Sequence, residues 1–262
     1  MFNRKPLIIA VIVFVLTVIV IGLQSLAVAA ETPANRTVTT NVVPLGSVLD
    51  TSLYEENGLR SNGKGEYFFA GATQGGDLRR GLVKFDIASN VPPNTIIVSA
   101  TLRLHVSKHP LEHKPESFTL HRITTEWGEG DSDPIGPEGS GATATEGDAT
   151  WTFSYFSPTP TERINWTNPG GDFLPAVSAS TVIDLENEYY TWGPSREMLA
   201  DLRYWQRNPT ENYGWIVLGN ESENWTARRF DSRENSVAAN RPVLTVEYVQ
   251  GYPSYLPLII GQ

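Results

Sequence analysis

The chain has 262 residues with no Cys, seven Trp, ten Tyr and ten Phe, and its 29 acidic residues outweigh 20 basic ones for a net charge of −9. Without Cys there is no disulfide framework and no thiolate chemistry, so an exported chain of this kind must rest on a sizeable apolar core. The acidic balance argues against nucleic acid and anionic lipid as partners, and against acidic polysaccharide unless a local basic patch overrides the mean.

Arg4 and Lys5 precede an apolar run from Leu7 to Leu23, and the small residues Ala27-Val28-Ala29-Ala30 come after it. A basic start, an apolar middle and an A-x-A end mark residues 1–30 as a secretory signal. The run also reaches the lower edge of a membrane span, so an uncleaved anchor is the rival reading. Membrane contact is expected only in that case. Both readings export the chain from about Glu31 onward and place it outside the cell or at its surface. Removing residues 1–30 takes away Arg4 and Lys5 and no acidic residue, which moves the net charge from −9 to −11.

Residues 31–41 are polar and Thr-rich and read as a flexible leader. Residues 42–250 read as one β domain, and residues 251–262, with Tyr255-Leu256-Pro257-Leu258-Ile259-Ile260, as an apolar tail far too short to span a membrane. Val48–Tyr54 is the first expected strand, and turn signals at Asn57-Gly58 and Ser61–Gly65 come next. Tyr67–Ala70 is a second strand. Leu82–Ile87 is a third, with Val83, Phe85 and Ile87 on one face. Ile96–Val106 alternates most clearly, placing Ala100, Leu102, Leu104 and Val106 inward and Thr101, Arg103 and His105 outward. Phe118–Thr124 is the next strand.

Gly128–Pro175 is rich in Gly, Pro, Asp, Ser and Thr. A structureless loop of that length is uncommon in a compact domain, so it is expected to wrap over one end of the fold, pinned by Trp151, Phe153 and Trp166. Thr181–Leu185 returns to strand. Ser195–Arg207 is the one helix candidate, because Met198, Leu199, Leu202 and Trp205 form an apolar stripe that Asn208-Pro209 ends. Asn212–Val249 reads as three closing strands separated by polar turns. Short strands with frequent Gly and Pro turns and a single helix indicate an all-β antiparallel sandwich, jelly-roll-like in character.

These residues also carry a family resemblance. Asp50-Thr51, Leu59-Arg60-Ser61-Asn62-Gly63, Phe68-Phe69-Ala70-Gly71, Arg79–Asp86 and Ser99–Leu104 occur in that order. Leu120–Gly128, Tyr213-Gly214-Trp215 and Arg229–Glu234 continue the series. The set resembles the DNRLRE domain, related to the family 96 carbohydrate-binding modules and to a region of archaeal disaggregatase, over about Val48 to Val249. The resemblance implies a secreted β-sandwich of the kind appended to polysaccharide-active enzymes, some relatives of which bind acidic polysaccharide such as alginate. The long Gly-rich middle and the acidic balance depart from those alginate binders.

The run Arg228–Glu234 holds too much charge for an ordinary strand. Arg79, Arg80, Lys84, Arg103, Arg228, Arg229 and Arg233 all fall on expected strands or their ends. One reading pairs them with Asp77, Asp86, Asp231 and Glu234 in a lattice between strands. The other has Arg79, Arg80, Lys84, Arg103, Arg229 and Arg233 grip a glycan, with Trp127 as an aromatic platform for a sugar ring or a cover for the core edge. The loop Glu126–Asp133 packs four carboxylates into eight residues, and Glu129, Asp131 and Asp133 could hold a structural calcium ion. His105, His109, His113 and His121 cluster in sequence, but Pro110 and Pro115 forbid the helix that would align them on a metal. Sequons stand at Asn35, Asn165, Asn220 and Asn224. No nucleophile elbow, zinc-protease or phosphate-loop motif occurs. The expectation is a monomeric, non-catalytic extracellular module that binds a polysaccharide or cell-surface glycan. The alternatives are a structural or adhesive surface protein and a polysaccharide-degrading enzyme.

Overall fold

The computed structural model describes residues 39–250. The expected signal, residues 31–38 of the expected leader and the apolar tail lie outside the described residues. The strands form where apolar residues alternate and stop at Gly, Pro and Asn turns. They are β1 (Thr40–Tyr54), β2 (Arg60–Ser61), β3 (Tyr67–Ala72), β4 (Leu78–Phe85) and β5 (Thr95–Lys108). Then come β6 (Glu116–Ile123), β7 (Ala142–Thr143), β8 (Phe153–Tyr155), β9 (Ile164–Asn165), β10 (Phe173–Ile183) and β11 (Glu188–Trp192). The helix α1 (Arg196–Arg207) precedes β12 (Trp215–Leu218), β13 (Arg228–Asp231) and β14 (Val243–Gln250). The fold is all-β, antiparallel and sandwich-like, with this single α-helix.

Its centre is a closed ring of strands, β4–β3–β13–β5–β14–β1, which β1 completes. The first half of β1 pairs with β14 from Thr40↔Val249 to Gly46↔Val243. Its second half pairs with β4 from Ser47↔Phe85 to Tyr54↔Arg79, after a bulge between Ser47 and Leu49. A bulge bends a strand, and here it carries β1 from one sheet to the other. Outside the ring, β12 joins β4 to β6, and β6 joins β10. The ladder with β14 explains why β1 begins at Thr40, inside the expected leader.

Alternation builds the main core. Ala100, Leu102, Leu104 and Val106 of β5 point inward, and so do Phe68, Val83, Phe85, Phe118 and Phe230. Phe68 and Phe230 stack at 5.1 Å between ring centroids. Burying each such side chain contributes roughly 2–3 kcal/mol. Helix α1 closes this core with Met198, Leu202 and Trp205. Ser195 caps it, its Oγ accepting from the Met198 N–H at 3.1 Å. His105, expected outward, is buried: its Nδ1 lies 2.6 Å from Asp231 Oδ2. The register places it beside β11, a strand that no pattern in the sequence announces.

A second core lies on the other face of β1, β4, β12 and β6. Leu53, Leu82, Ile216 and Ile123 meet Trp127, Ala149 and Trp166 there. The later part of the long Gly- and Pro-rich segment, with Ala149, Trp151, Trp166 and Phe173, is therefore a third layer covering a sheet face, while residues 138–143 run past the ends of β1 and β4, where β7 pairs with β2. This explains why Leu82-Val83 and Trp215-Ile216-Val217 are continuous apolar runs: both faces of these strands are buried. Trp166 and Trp151 pin the segment as expected, packing in or against this core. Trp166 Nε1 donates to the Thr150 carbonyl, and Trp127 Nε1, just before the segment, to that of Tyr213, both at 2.8 Å. Trp127 thus serves as core cover, not as an exposed platform.

Candidate functional site

The run Arg228–Glu234 divides its charges among three environments. Arg228 points inward and is fully buried. It donates to the carbonyls of Thr226 at 2.9 Å and Lys114 at 2.7 Å. Burial pushes its pKa down, with Glu116 the carboxylate that most opposes the shift. Asp231 engages His105. Arg233 turns back onto the acidic segment, its Nε 2.8 Å from Glu129 Oε1 and its second amine 2.5 Å from Glu129 Oε2 and 2.9 Å from Glu234 Oε1.

Around that guanidinium three carboxylates converge. Asp50, Glu129 and Glu234 each bring an oxygen within 4.8 Å of the others. Asp50 is buried and accepts from Ser47 Oγ at 2.8 Å and the Arg233 N–H at 3.0 Å. Burial, reinforced by the Glu234 charge, pushes its pKa up to about 8. Burial and the Glu129 charge push Glu234 up to about 7. These three residues, tying β1 to the third layer and to the turn after β13, are the carboxylates that could hold a hard cation. Arg233 supplies positive charge to them directly. The set expected from spacing is not brought together: Glu129 is buried on Arg233, Asp131 is exposed and pairs with Lys64 at 2.7 Å, and Asp133 is exposed. The reason is a change of phase at Gly130, whose left-handed φ of +68° leaves Glu129 buried before it and sets Asp131 and Asp133 outward on either side of buried Ser132.

The remaining basic residues disperse. Arg80 forks onto Glu221 at 2.7 and 2.8 Å and lies over the Trp151 ring on the third-layer side. Arg79, its neighbour on β4, faces the opposite way and is buried, pairing with Glu56 and donating to the Gly139 carbonyl at 3.1 and 3.2 Å. Arg103 is exposed over the Tyr189 ring. Lys84 stands on β4 opposite Leu49. Neither Lys84 nor Arg103 lines the groove that holds Arg79 and Arg229.

A groove of about 490 Å³ gathers a different set. It lies over β3, β13 and β5 and is lined by Phe69, Arg79, Lys108, His109, Trp225 and Arg229, among others, with no carboxylate in its walls. Its floor is a cross-strand row, because Arg229 stands opposite Phe69 on one side and Lys108 on the other. The Arg229 guanidinium lies 3.7 Å above the Tyr67 ring, and its Nε donates to Ser107 Oγ at 3.1 Å. Its two terminal amines keep their N–H groups free among the described residues. Lys108 is exposed and likewise has no ion pair among them. Glu138 lies behind the row with its carboxylate held by the Glu66 and Tyr67 N–H groups. His109 stacks on His113 at 3.5 Å at the rim. Arg79 and Arg228 also stand in the wall, the charge of Arg79 being matched by Glu56. The arrangement offers free donors and positive potential to an anion.

Trp225 forms part of the same wall with a left-handed backbone, φ +66°. For a bulky residue that conformation costs about 1–2 kcal/mol, and it persists only where the surroundings fix it. Here the N–H groups of Trp225, Thr226 and Ala227 all bond to β3 or its turn. Sequence reasoning missed Lys108 and Trp225. Lys108 meets Arg229 only through the register of β5 and β13, strands far apart in the chain. Trp225 sits in a polar turn without periodic neighbours. The one available signal was the presence of a Trp between Asn224 and Thr226, outside any apolar pattern. No family model matches the chain, and no curated protein matches it.

Proposed function

We propose that the chain is a secreted, non-catalytic module that binds an anionic polysaccharide in the groove over β3, β13 and β5. The observation that carries this reading is the pair Arg229 and Lys108, two cations directly opposite one another in a groove whose lining holds no carboxylate, Glu138 behind it being an acidic group that acts on Arg229. Like charges in that position cost stability. An anion laid across both relieves the repulsion and gains charge-assisted hydrogen bonds from the free end of the Arg229 fork. The resemblance to the DNRLRE domain and the signal-like residues 1–30 support an extracellular glycan as the source of that anion. A structural or adhesive surface protein is the second reading, favoured by the internal engagement of Arg79, Arg80 and Arg233.

Affinity electrophoresis and calorimetry with polygalacturonate and alginate (carboxylated), heparin (sulfated) and dextran (neutral) test the proposal. Retention by an anionic polymer and not by dextran is expected. Arg229→Ala and Lys108→Ala should each weaken it at least tenfold, with the melting temperature unchanged or raised. Arg233→Ala should lower the melting temperature and leave binding intact, because its guanidinium serves Glu129. No reducing-sugar release is expected. A blank result with every polymer leaves the structural reading in place. Running the screen with and without Ca²⁺ also probes Asp50, Glu129 and Glu234, to which a chelator-induced fall in melting temperature would assign an ion.

A further inference from the structure

Six of the seven Trp residues serve the two cores. Trp192, Trp205 and Trp215 are buried in the first, Trp127 and Trp166 in the second, and Trp151 packs against the second. Trp225 packs in neither. It is half-buried and stands in the wall of the cationic groove. The indole N–H groups of Trp127, Trp166, Trp192 and Trp215 each have an internal acceptor. That of Trp225 has none among the described residues. Trp225 thus stands outside both cores on a left-handed backbone.

Its surroundings nevertheless fix it firmly. The Trp225 N–H bonds to the Thr73 carbonyl at 3.2 Å, and the Thr226 and Ala227 N–H groups bond to that of Ala72 at 3.0 and 2.9 Å. Thr226 Oγ1 accepts from the Ala72 N–H at 2.8 Å and donates to the Asn220 carbonyl at 2.5 Å. Close approach at Gly71 is part of the same arrangement, since a Cβ there would meet Ala227 Cα at 2.8 Å. The backbone that carries the indole is therefore held in place, and the indole stands in the same groove wall as Arg229. Backbone strain kept by an over-determined surround, at the edge of a cavity, is a recognised accompaniment of ligand clamps.

We propose that Trp225 is the stacking platform of the groove, its flat face taking the apolar C–H face of a pyranose ring whose acid group is held by Arg229 and Lys108. A fixed indole loses little freedom on contact and presents a large apolar face with a polar N–H at its edge, which suits an amphipathic sugar ring. The inference rests on the reading of the groove as an anionic-glycan site. It adds that recognition is of the sugar ring and not of charge alone. A simple polyanion without pyranose rings should then bind far more weakly than an acidic oligosaccharide of equal charge.

The experiment compares wild type, Trp225→Gly, Trp225→Phe and Arg229→Ala, with oligogalacturonate and heparin oligosaccharides as probes and polyacrylate as the ring-free polyanion. Glycine accepts the left-handed backbone without strain. Trp225→Gly should therefore melt no lower than wild type and yet bind at least tenfold more weakly to the probe that wild type prefers. Trp225→Phe, which keeps an aromatic face, should bind within a few fold of wild type. Ligand-induced change in tryptophan fluorescence should vanish in Trp225→Phe despite retained binding. If Trp225→Gly binds as wild type does while Arg229→Ala loses binding, the platform is refuted and the charged site stands. Equal binding of polyacrylate and oligosaccharide likewise refutes it. If wild type binds neither oligosaccharide, the reading of the groove falls and the platform with it.

Discussion

Arg229 and Arg233 stand four positions apart in one charged run and meet opposite surroundings. Arg229 faces a groove without carboxylates, and Arg233 faces Asp50, Glu129 and Glu234. The difference lies in the chain ending its strand at Asp231, after which Arg233 folds back onto the third layer. The buried trio has a consequence for pH. Asp50, with an ordinary value near 3.8, is raised to about 8, and Glu234 to about 7. A carboxylate raised on folding binds more protons in the native state than in the unfolded chain between those limits. Stability from these groups is therefore full below about pH 4 and declines as pH rises through about 8. One proton linked in this way gives at most about 1.4 kcal/mol per pH unit. Asp172 behaves oppositely. Burial would raise it, but N–H groups of Thr167 and Asn168 hold its pKa down, so its contribution is lost only as pH falls below the ordinary carboxylate range. Urea unfolding is accordingly expected to show a lower midpoint at pH 8.5 than at pH 5.5, and Asp50→Asn should flatten that slope and raise the pH 8.5 midpoint. Equal slopes for both proteins would show that the trio does not carry the dependence.

The third layer is the element on which the second core depends. Trp166 is 4% exposed and packs with Leu53, Leu82 and Ile216 from three strands. Deleting a large aromatic in such a place costs about 3–5 kcal/mol. Trp166→Ala is expected to lower unfolding stability by that order and to speed chymotryptic cleavage within residues 128–175. A change under about 1 kcal/mol would mean that the sheet face does not need its cover. A strand away from this layer such as β5 was legible because apolar alternation reports a half-buried face, as in Leu102, Leu104 and Val106. The helix was legible from Met198, Leu202 and Trp205. The third layer was only partly legible: its aromatics announced that it is pinned, while the face it covers depends on which side of β4 and β12 it meets. β11 escaped because Glu188–Trp192 has exposed Glu188 and Tyr189 beside buried Trp192, with too few inward positions to show a period. The groove was the least legible part. Arg79 and Arg229 belong to runs that charge alone picks out, but Lys108 and Trp225 join them only through register and a left-handed turn, neither of which leaves a local pattern.

The molecule as a whole carries −9 while its groove is positive, so a polyanion meets two fields of opposite sign at different distances. Charges beyond a Debye length, about 30 Å at 0.01 M salt and about 10 Å at 0.1 M, are screened from one another. On the proposed reading, a polymer approaching at low salt feels the repulsion of the acidic surface before it reaches Arg229 and Lys108. Raising salt to 0.1 M removes that distant repulsion first and weakens the contact pairing less, because the groove is partly walled by Phe69 and Trp225. A net-basic binder behaves otherwise, its association rate falling steeply with salt as steering is lost. For this protein, surface plasmon resonance with oligogalacturonate between 0.01 and 0.1 M salt is expected to show an association rate that stays level or rises up to a few fold, and a dissociation rate that rises. A steep fall in the association rate would mean that the positive face dominates the field at long range, and that the acidic residues lie too far from the groove to govern what approaches it.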